Sequence, residues 1–156
     1  MTKVEMAENT ILEHRLLAQD IHLFKVHTPD LAAACKPGQF VVVRADERGE
    51  RVPLTIADFH RAQGWIVLIV QTLGASTLKM ASFREGERFL DVVGPLGKES
   101  EIERFGTVVC IGGGVGIAPV HPIARALKDA GNRVIAIIGA RTRELLFWEE
   151  EMRAAS

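Results

Sequence analysis

The sequence predicts two folding units in tandem: an all-β antiparallel unit over residues 1–100 and an α/β unit over residues 101–156. Three observations carry this reading. Six short runs rich in Val, Ile, Leu and Phe fill the first hundred positions, with turn residues between them. From Thr107 onward the pattern changes to strand, helix, strand, helix. The apolar run Val108-Val109-Cys110-Ile111 leads directly into Gly112, Gly113, Gly114 and Gly116, and an apolar helical pattern follows.

In chain order, the predicted strands are Ile11 to Leu17, Ile21 to His27, Phe40 to Arg44, Val52 to Ala57, Trp65 to Gln71 and Arg88 to Val93. Thr28-Pro29-Asp30, Lys36-Pro37-Gly38, Glu47-Arg48-Gly49, Ala62-Gln63-Gly64 and Arg84-Glu85-Gly86 are the turns, since Pro presets φ and Gly tolerates positive φ. Six short strands at this spacing make a small barrel or sandwich. One short helix interrupts them, Ser76 to Phe83, with Leu78, Met80, Ala81 and Phe83 as its inner face and Ser76 or Thr77 as cap. The boundary falls between Gly94-Pro95-Leu96-Gly97 and Phe105. Beyond it, strands 107–111 and 133–138 alternate with helices 118–130 and 144–153. A βαβ order makes the two strands parallel, joined by a right-handed crossover. Two strands are fewer than parallel sheets normally use, so this unit reads as truncated, with apolar faces and a strand edge that favour self-association.

Composition bounds the function. The chain has 156 residues, 47% hydrophobic and 25% charged, with a formal net charge of −1. Near-neutral charge gives no electrostatic footprint for nucleic acid or an anionic membrane. No apolar run reaches 18 residues and no signal-peptide pattern opens the chain, so the expected compartment is the cytoplasm and no membrane span is expected. Cys35 and Cys110 have no His or Cys at metal-ligand spacing; Cys110 reads as a small buried hydrophobe, and no disulfide is expected.

Three stretches stand out as anion sites, each with an ordinary structural reading beside it. The glycine turn departs from the G-x-G-x-x-G fingerprint, because counting from Gly112 the last glycine falls on Ile117. Four glycines in five positions nevertheless exceed what a tight turn needs, and they open a helix whose N–H groups can face a phosphate. In Arg51-Val52-Pro53-Leu54-Thr55 an arginine fork and a hydroxyl share one strand; considered alone, the stretch reads first as an edge strand with a proline and a solvated arginine. Gly74-Ala75-Ser76-Thr77 suits a pyrophosphate, and suits an ordinary N-cap as well. Gly94-Pro95-Leu96-Gly97-Lys98 is no P-loop, since two residues rather than four separate its glycines. His14, His22, His27 and His60 read as surface or satisfied histidines, and His121 as a helix-packing residue.

Taken in order, these motifs resemble the ferredoxin–NADP reductase superfamily. Within it they are most similar to the flavin subunits of NADH-dependent ferredoxin:NADP oxidoreductase, also described as sulfide dehydrogenase, and next to the electron-transfer subunits of dihydroorotate dehydrogenase. The resemblance implies an FAD-binding antiparallel barrel followed by a nucleotide-binding α/β domain. It gives Arg51 the FAD pyrophosphate, Pro53 and Leu54 the isoalloxazine wall, and Thr55 the flavin N5 as the residue nearest the chemistry. Gly74, Ser76 and Thr77 hold the FAD phosphates. Gly112, Gly113, Gly114 and Gly116 meet NAD or NADP, and Arg141 reaches the adenosine ribose or its phosphate. The implied chemistry is the flavin's, electrons arriving from NAD(P)H and leaving for an iron–sulfur dehydrogenase subunit or ferredoxin. Full-length relatives carry a [2Fe–2S] centre, whose four thiolates two cysteines cannot supply. A rival of another class is a non-catalytic fragment acting as an assembly module.

Overall fold

The computed structural model describes residues 6–156. Its first unit is a six-stranded antiparallel sheet of β1 (Ile11–Ala18), β2 (Ile21–His27), β3 (Phe40–Arg44), β4 (Arg51–His60), β5 (Trp65–Gln71) and β6 (Asp91–Leu96), in the order β1-β2-β5-β4-β3-β6. The Ile11 N–H donates to the Glu87 carbonyl at 2.8 Å, the Phe89 N–H donates to that of Asn9 at 3.1 Å, and Thr10 pairs with Arg88. These bonds join the start of β1 to the segment leading into β6. The sheet therefore closes as a barrel, which removes its free edges.

Two helices serve this unit. α1 (Pro29–Ala34) begins with proline at its first position, where the missing N–H costs nothing, and buries Leu31 and Ala32. The sequence reading placed only a turn there, because six residues are too few to show a helical period. α2 (Ala75–Ala81) lies near the predicted Ser76 to Phe83, yet only Met80 is buried and Leu78 is exposed, so the expected four-residue inner face shrinks. β4 runs longer than predicted, and β6 is shifted to include Gly94, Pro95 and Leu96, which the sequence assigned to the boundary.

The second unit pairs β7 (Thr107–Gly113) and β8 (Arg133–Gly139) in parallel, from Thr107 opposite Arg133 to Gly113 opposite Gly139. Between them runs α3 (Ile117–Asp129), which buries Ile117, Ala118, His121, Ala124 and Leu127 along one face. The predicted helix over 144–153 is split: a 3-10 turn covers Arg143–Leu145, and α4 covers Glu149–Ala154. Trp148 breaks the run by taking φ +59° while 7% exposed. Among the described residues no helix is long and apolar enough to cross a membrane.

The barrel core gathers Phe24, Val26, Val41, Val43, Ile56, Leu68, Met80 and Phe89. A second core draws Ile21, Leu23, Ala57, Val67 and Ile69 from the barrel wall and joins them to Cys110, Ile117, Ala124, Leu127, Trp148 and Met152. The seam is visible in β5: Ile66, Leu68 and Val70 face inward, Val67 and Ile69 face the α/β unit, and all five are buried. An unbroken apolar strand is what burial on both faces requires. The cysteines lie one in each core, both free. Burial pushes the Cys35 thiol up to about 11 and raises that of Cys110 as well. The opposite face of the small sheet is bare, with Val109, Ile111, Ile135 and Ile137 all exposed as two facing pairs.

The histidine pair is satisfied internally. His14 Nδ1 lies 2.7 Å from the Phe83 carbonyl, so it carries the proton, and His14 Nε2 accepts from His22 Nδ1 at 2.9 Å. Burial, and then the neighbouring His14, lower the His22 pKa. At the junction, Asn132 Oδ1 accepts from the N–H groups of Phe105 (2.7 Å) and Gly106 (2.9 Å), while its Nδ2 donates to the carbonyls of Glu103 and Leu127 (both 2.8 Å).

The glycines of the strand-to-helix turn divide by role. A Cβ on Gly112 would sit 2.9 Å from the Ile117 Cα, so only glycine lets the end of β7 cross the start of α3. Gly114 takes φ +54°. Gly113 and Gly116 have no atom within 4 Å of a would-be Cβ. Two outcomes follow in chemical denaturation. Gly112→Ala lowers stability by about 1–3 kcal/mol through overpacking, while Gly113→Ala, on extended backbone facing open space, stays within about 0.5 kcal/mol of wild type. Asn132→Ala strands buried junction amides and carbonyls and costs about 2 kcal/mol or more.

Candidate functional site at the carboxyl ends of the parallel strands

Open α/β sheets bind ligands beyond the carboxyl ends of their strands, where loops leave the sheet and helix N-termini point outward. Here the glycine turn leaves β7 and the segment Ala140-Arg141 leaves β8, side by side because the strands are parallel and in register. A hollow of about 390 Å³ opens there, lined by Gly114, Val115, Ala140, Arg141 and Leu145 on the α/β side and by Ile21, Gln71 and Leu73 on the barrel side. Of the predicted site residues it unites Gly114 and Arg141, which are separated by 27 positions in sequence. Arg141 is exposed and, among the described residues, in no ion pair.

The barrel's contribution to this hollow was not anticipated. Gln71 ends the apolar run of β5, and Leu73 follows with 81% of its surface exposed. A polar residue closing an apolar strand just before Gly74 was the available signal; which face it would meet depended on the docking of the second unit.

Beyond Leu73 the chain passes Gly74, whose would-be Cβ also meets open space, and enters α2. There a second hollow of about 320 Å³ is lined by Asp46, Arg48, Gly49, Glu50, Ala75, Ser76 and Lys79. The Ser76 hydroxyl donates to Glu50 at 2.8 Å, and Lys79 pairs with Asp46 at 3.0 Å, holding that carboxyl below its ordinary range. The Thr77 hydroxyl is taken up by its own helix: Oγ1 accepts from the N–H groups of Leu73 (3.0 Å) and Gly74 (3.2 Å) and donates to the Gly74 carbonyl at 3.0 Å. Thr77 therefore shapes the turn, and Ser76 is the hydroxyl of the two that faces a hollow.

Arg51, Pro53, Leu54 and Thr55 lie on β4, outside both linings. Arg51 and Pro53 are exposed; Leu54 and Thr55 are half-buried, and Thr55 pairs with Phe40. Arg51 is in no ion pair among the described residues. β4 reaches the α/β unit at its far end, where His121 Nδ1 donates to the Ala57 carbonyl at 3.1 Å and Arg125 pairs with Asp58. Thr55 stands two residues before that contact and the glycine turn one helical turn from it.

No protein-family model matches the chain. It is 45% identical over 150 residues to the "Dihydroorotate dehydrogenase B (NAD(+)), electron transfer subunit homolog" of Thermotoga maritima, covering 96% of this chain and 53% of that protein. The solved NADH-dependent reduced ferredoxin-NADP oxidoreductase superposes with a TM-score of 0.95 at 42% identity, over 99% of this chain and 56% of the other. Phthalate dioxygenase reductase shares the fold, with a TM-score of 0.78 at 21% identity over 92% of this chain and 46% of that one. The chain thus spans about half the length of the relatives it matches. With its barrel, its parallel βαβ unit and this likeness along nearly every residue, the chain has a ferredoxin reductase-like fold.

Proposed function

We propose that this chain is the FAD-binding and part of the NAD(P)-binding portion of a cytoplasmic electron-transfer flavoprotein subunit, passing electrons between NAD(P)H and an iron–sulfur partner subunit or ferredoxin. One observation carries the reading: the glycine turn and Arg141 meet at the carboxyl ends of adjacent parallel strands, across a hollow from the strand that leads into Gly74. The residues fit the two cofactors. Gly74, Gly113 and Gly116 leave open the volume that side chains would fill, so a phosphate can approach bare backbone. Arg51 and Arg141 present exposed guanidiniums, able to take phosphate oxygens two at a time.

When bound, FAD supplies the conversion of a two-electron hydride into single electrons. The chain's own residues bind and orient. Arg51 neutralises the FAD pyrophosphate, with Gly74 and Ser76 beside it; Ser76 exchanges its bond to Glu50 for one to phosphate. Pro53 and Leu54 form the isoalloxazine wall, and Thr55 directs its hydroxyl to flavin N5. Gly112 to Gly116 bring the nicotinamide dinucleotide against backbone, and Arg141 contacts its adenosine ribose or ribose phosphate.

The names of the relatives favour two complexes, a dihydroorotate dehydrogenase and a ferredoxin:NADP oxidoreductase. Pull-down against each candidate iron–sulfur subunit separates them. The bare pairs Val109/Ile135 and Ile111/Ile137 support self-association of the chain as it stands.

The decisive test is colour. Purified chain supplied with FAD takes up one equivalent, shows a yellow flavin spectrum and is bleached anaerobically by NADH or NADPH; colourless protein that refuses FAD favours the assembly-module alternative. Arg51→Ala weakens FAD retention about tenfold or more, as loss of one charge-assisted contact of 1.5–3 kcal/mol requires, and unchanged occupancy removes Arg51 from the site. Sedimentation velocity shows concentration-dependent association that Ile111→Asp abolishes; a monomer at every concentration refutes the self-association.

A further inference from the structure

We infer that His121 and Arg125 are positioning residues that set the register between the two cofactor sites, an inference that rests on the two-cofactor reading above. The candidate flavin contacts Arg51 to Thr55 ride on β4, and the glycine turn rides on the N-terminus of α3. Whatever fixes α3 on β4 fixes one cofactor against the other.

The seam between them is mostly apolar, with Ala57, Ile117, Ala118 and Ala124 in one cluster. Apolar burial is strong and non-directional; it holds two surfaces together without choosing how far one slides along the other. Hydrogen bonds choose, because they tolerate little change in distance or angle.

The structure supplies two of them at a built irregularity. The pairing of β4 with β5 slips between Ile56 and Asp58, which leaves Ala57 as the extra residue of a bulge. Its carbonyl accepts the Nδ1–H of His121, a residue only 6% exposed. That bond settles the imidazole tautomer, since a carbonyl can only accept. The ring centroid lies 4.8 Å from that of Trp148, the residue held at positive φ, with the two planes tilted by 57°. One turn further along α3, Arg125 pairs with Asp58, the next residue of the bulge, and its guanidinium sits 5.4 Å from the Phe59 ring. Two directional contacts, four residues apart on the helix and adjacent on the strand, leave α3 one register. A leucine at 121 would keep apolar bulk in the seam and remove the donor to the Ala57 carbonyl.

The test compares His121→Leu, which keeps the bulk and removes the donor, with His121→Asn, whose Nδ2 stands near the place of the imidazole Nδ1. Amide hydrogen exchange on the cofactor-free chain is the first readout. In His121→Leu the glycine turn and first turn of α3 exchange about tenfold faster or more while β2 and β5 keep their protection, and His121→Asn restores the slow rate. The second readout is anaerobic reduction of the FAD-loaded chain by NADH. In His121→Leu the limiting rate falls about tenfold to a hundredfold, as an ångström of misplacement produces, with FAD affinity and half-saturating NADH within twofold of wild type. Wild-type exchange in His121→Leu, or faster exchange spread evenly over both units, overturns the inference. A wild-type chain that takes no flavin overturns the two-cofactor reading instead, and the exchange data then decide the clamp alone.

Discussion

The fold turns on β5 being buried on both faces. A barrel strand ordinarily shows one face to its core and the other to solvent, and most of this barrel obeys that rule. Trp65 to Gln71 does not: alternate residues enter two different cores, and β2 and β4 on either side of it lend Ile21, Leu23 and Ala57 to the second. The two units therefore share a wall rather than a linker. A wall of β-branched and other apolar side chains has little conformational freedom of its own, so the hollow above it inherits the rigidity of the barrel.

The placing of the two hollows follows from where that wall ends. The carboxyl end of β5 delivers Gln71 and Leu73 to the rim at which the parallel strands deliver the glycine turn and Arg141. The same segment then becomes the Gly74 turn and opens the second hollow at Ser76. One short stretch thus separates the two hollows, and its position is set by the strand beneath it. The glycines share out the work: Gly112 brings helix and strand into contact, Gly114 turns the chain, and Gly113 and Gly116 leave space.

Elements with a repeating signal were legible in sequence. Runs of β-favouring apolar residues between turn signals marked the barrel strands within a few residues, and the change of pattern marked β7, α3 and β8. Elements lacking such a signal were not. α1 is too short for a period and begins with a proline that equally marks a turn. The split before α4 depends on Trp148 holding a left-handed backbone because its ring is packed against His121 and Phe147, a contact invisible in the local pattern. At the site, motif order pointed to Gly114 and Arg141, which the structure unites. It could not show that Thr77 spends its hydroxyl on its own turn or that Glu50 holds Ser76, since both depend on side-chain direction.

By itself the sequence determined the inventory: six barrel strands, a parallel pair, a glycine turn and the arginines and hydroxyls of the candidate sites. Periodicity and turn chemistry act between near neighbours, and near neighbours are what a sequence lists. Only the tertiary structure decided which barrel strands would wall the second core, which rim would face the glycine turn, and which carbonyl would accept from His121. Those choices are made by contacts between residues some fifty to seventy positions apart, where burial of apolar surface brings the units together and a bulge at Ala57 selects a single alignment.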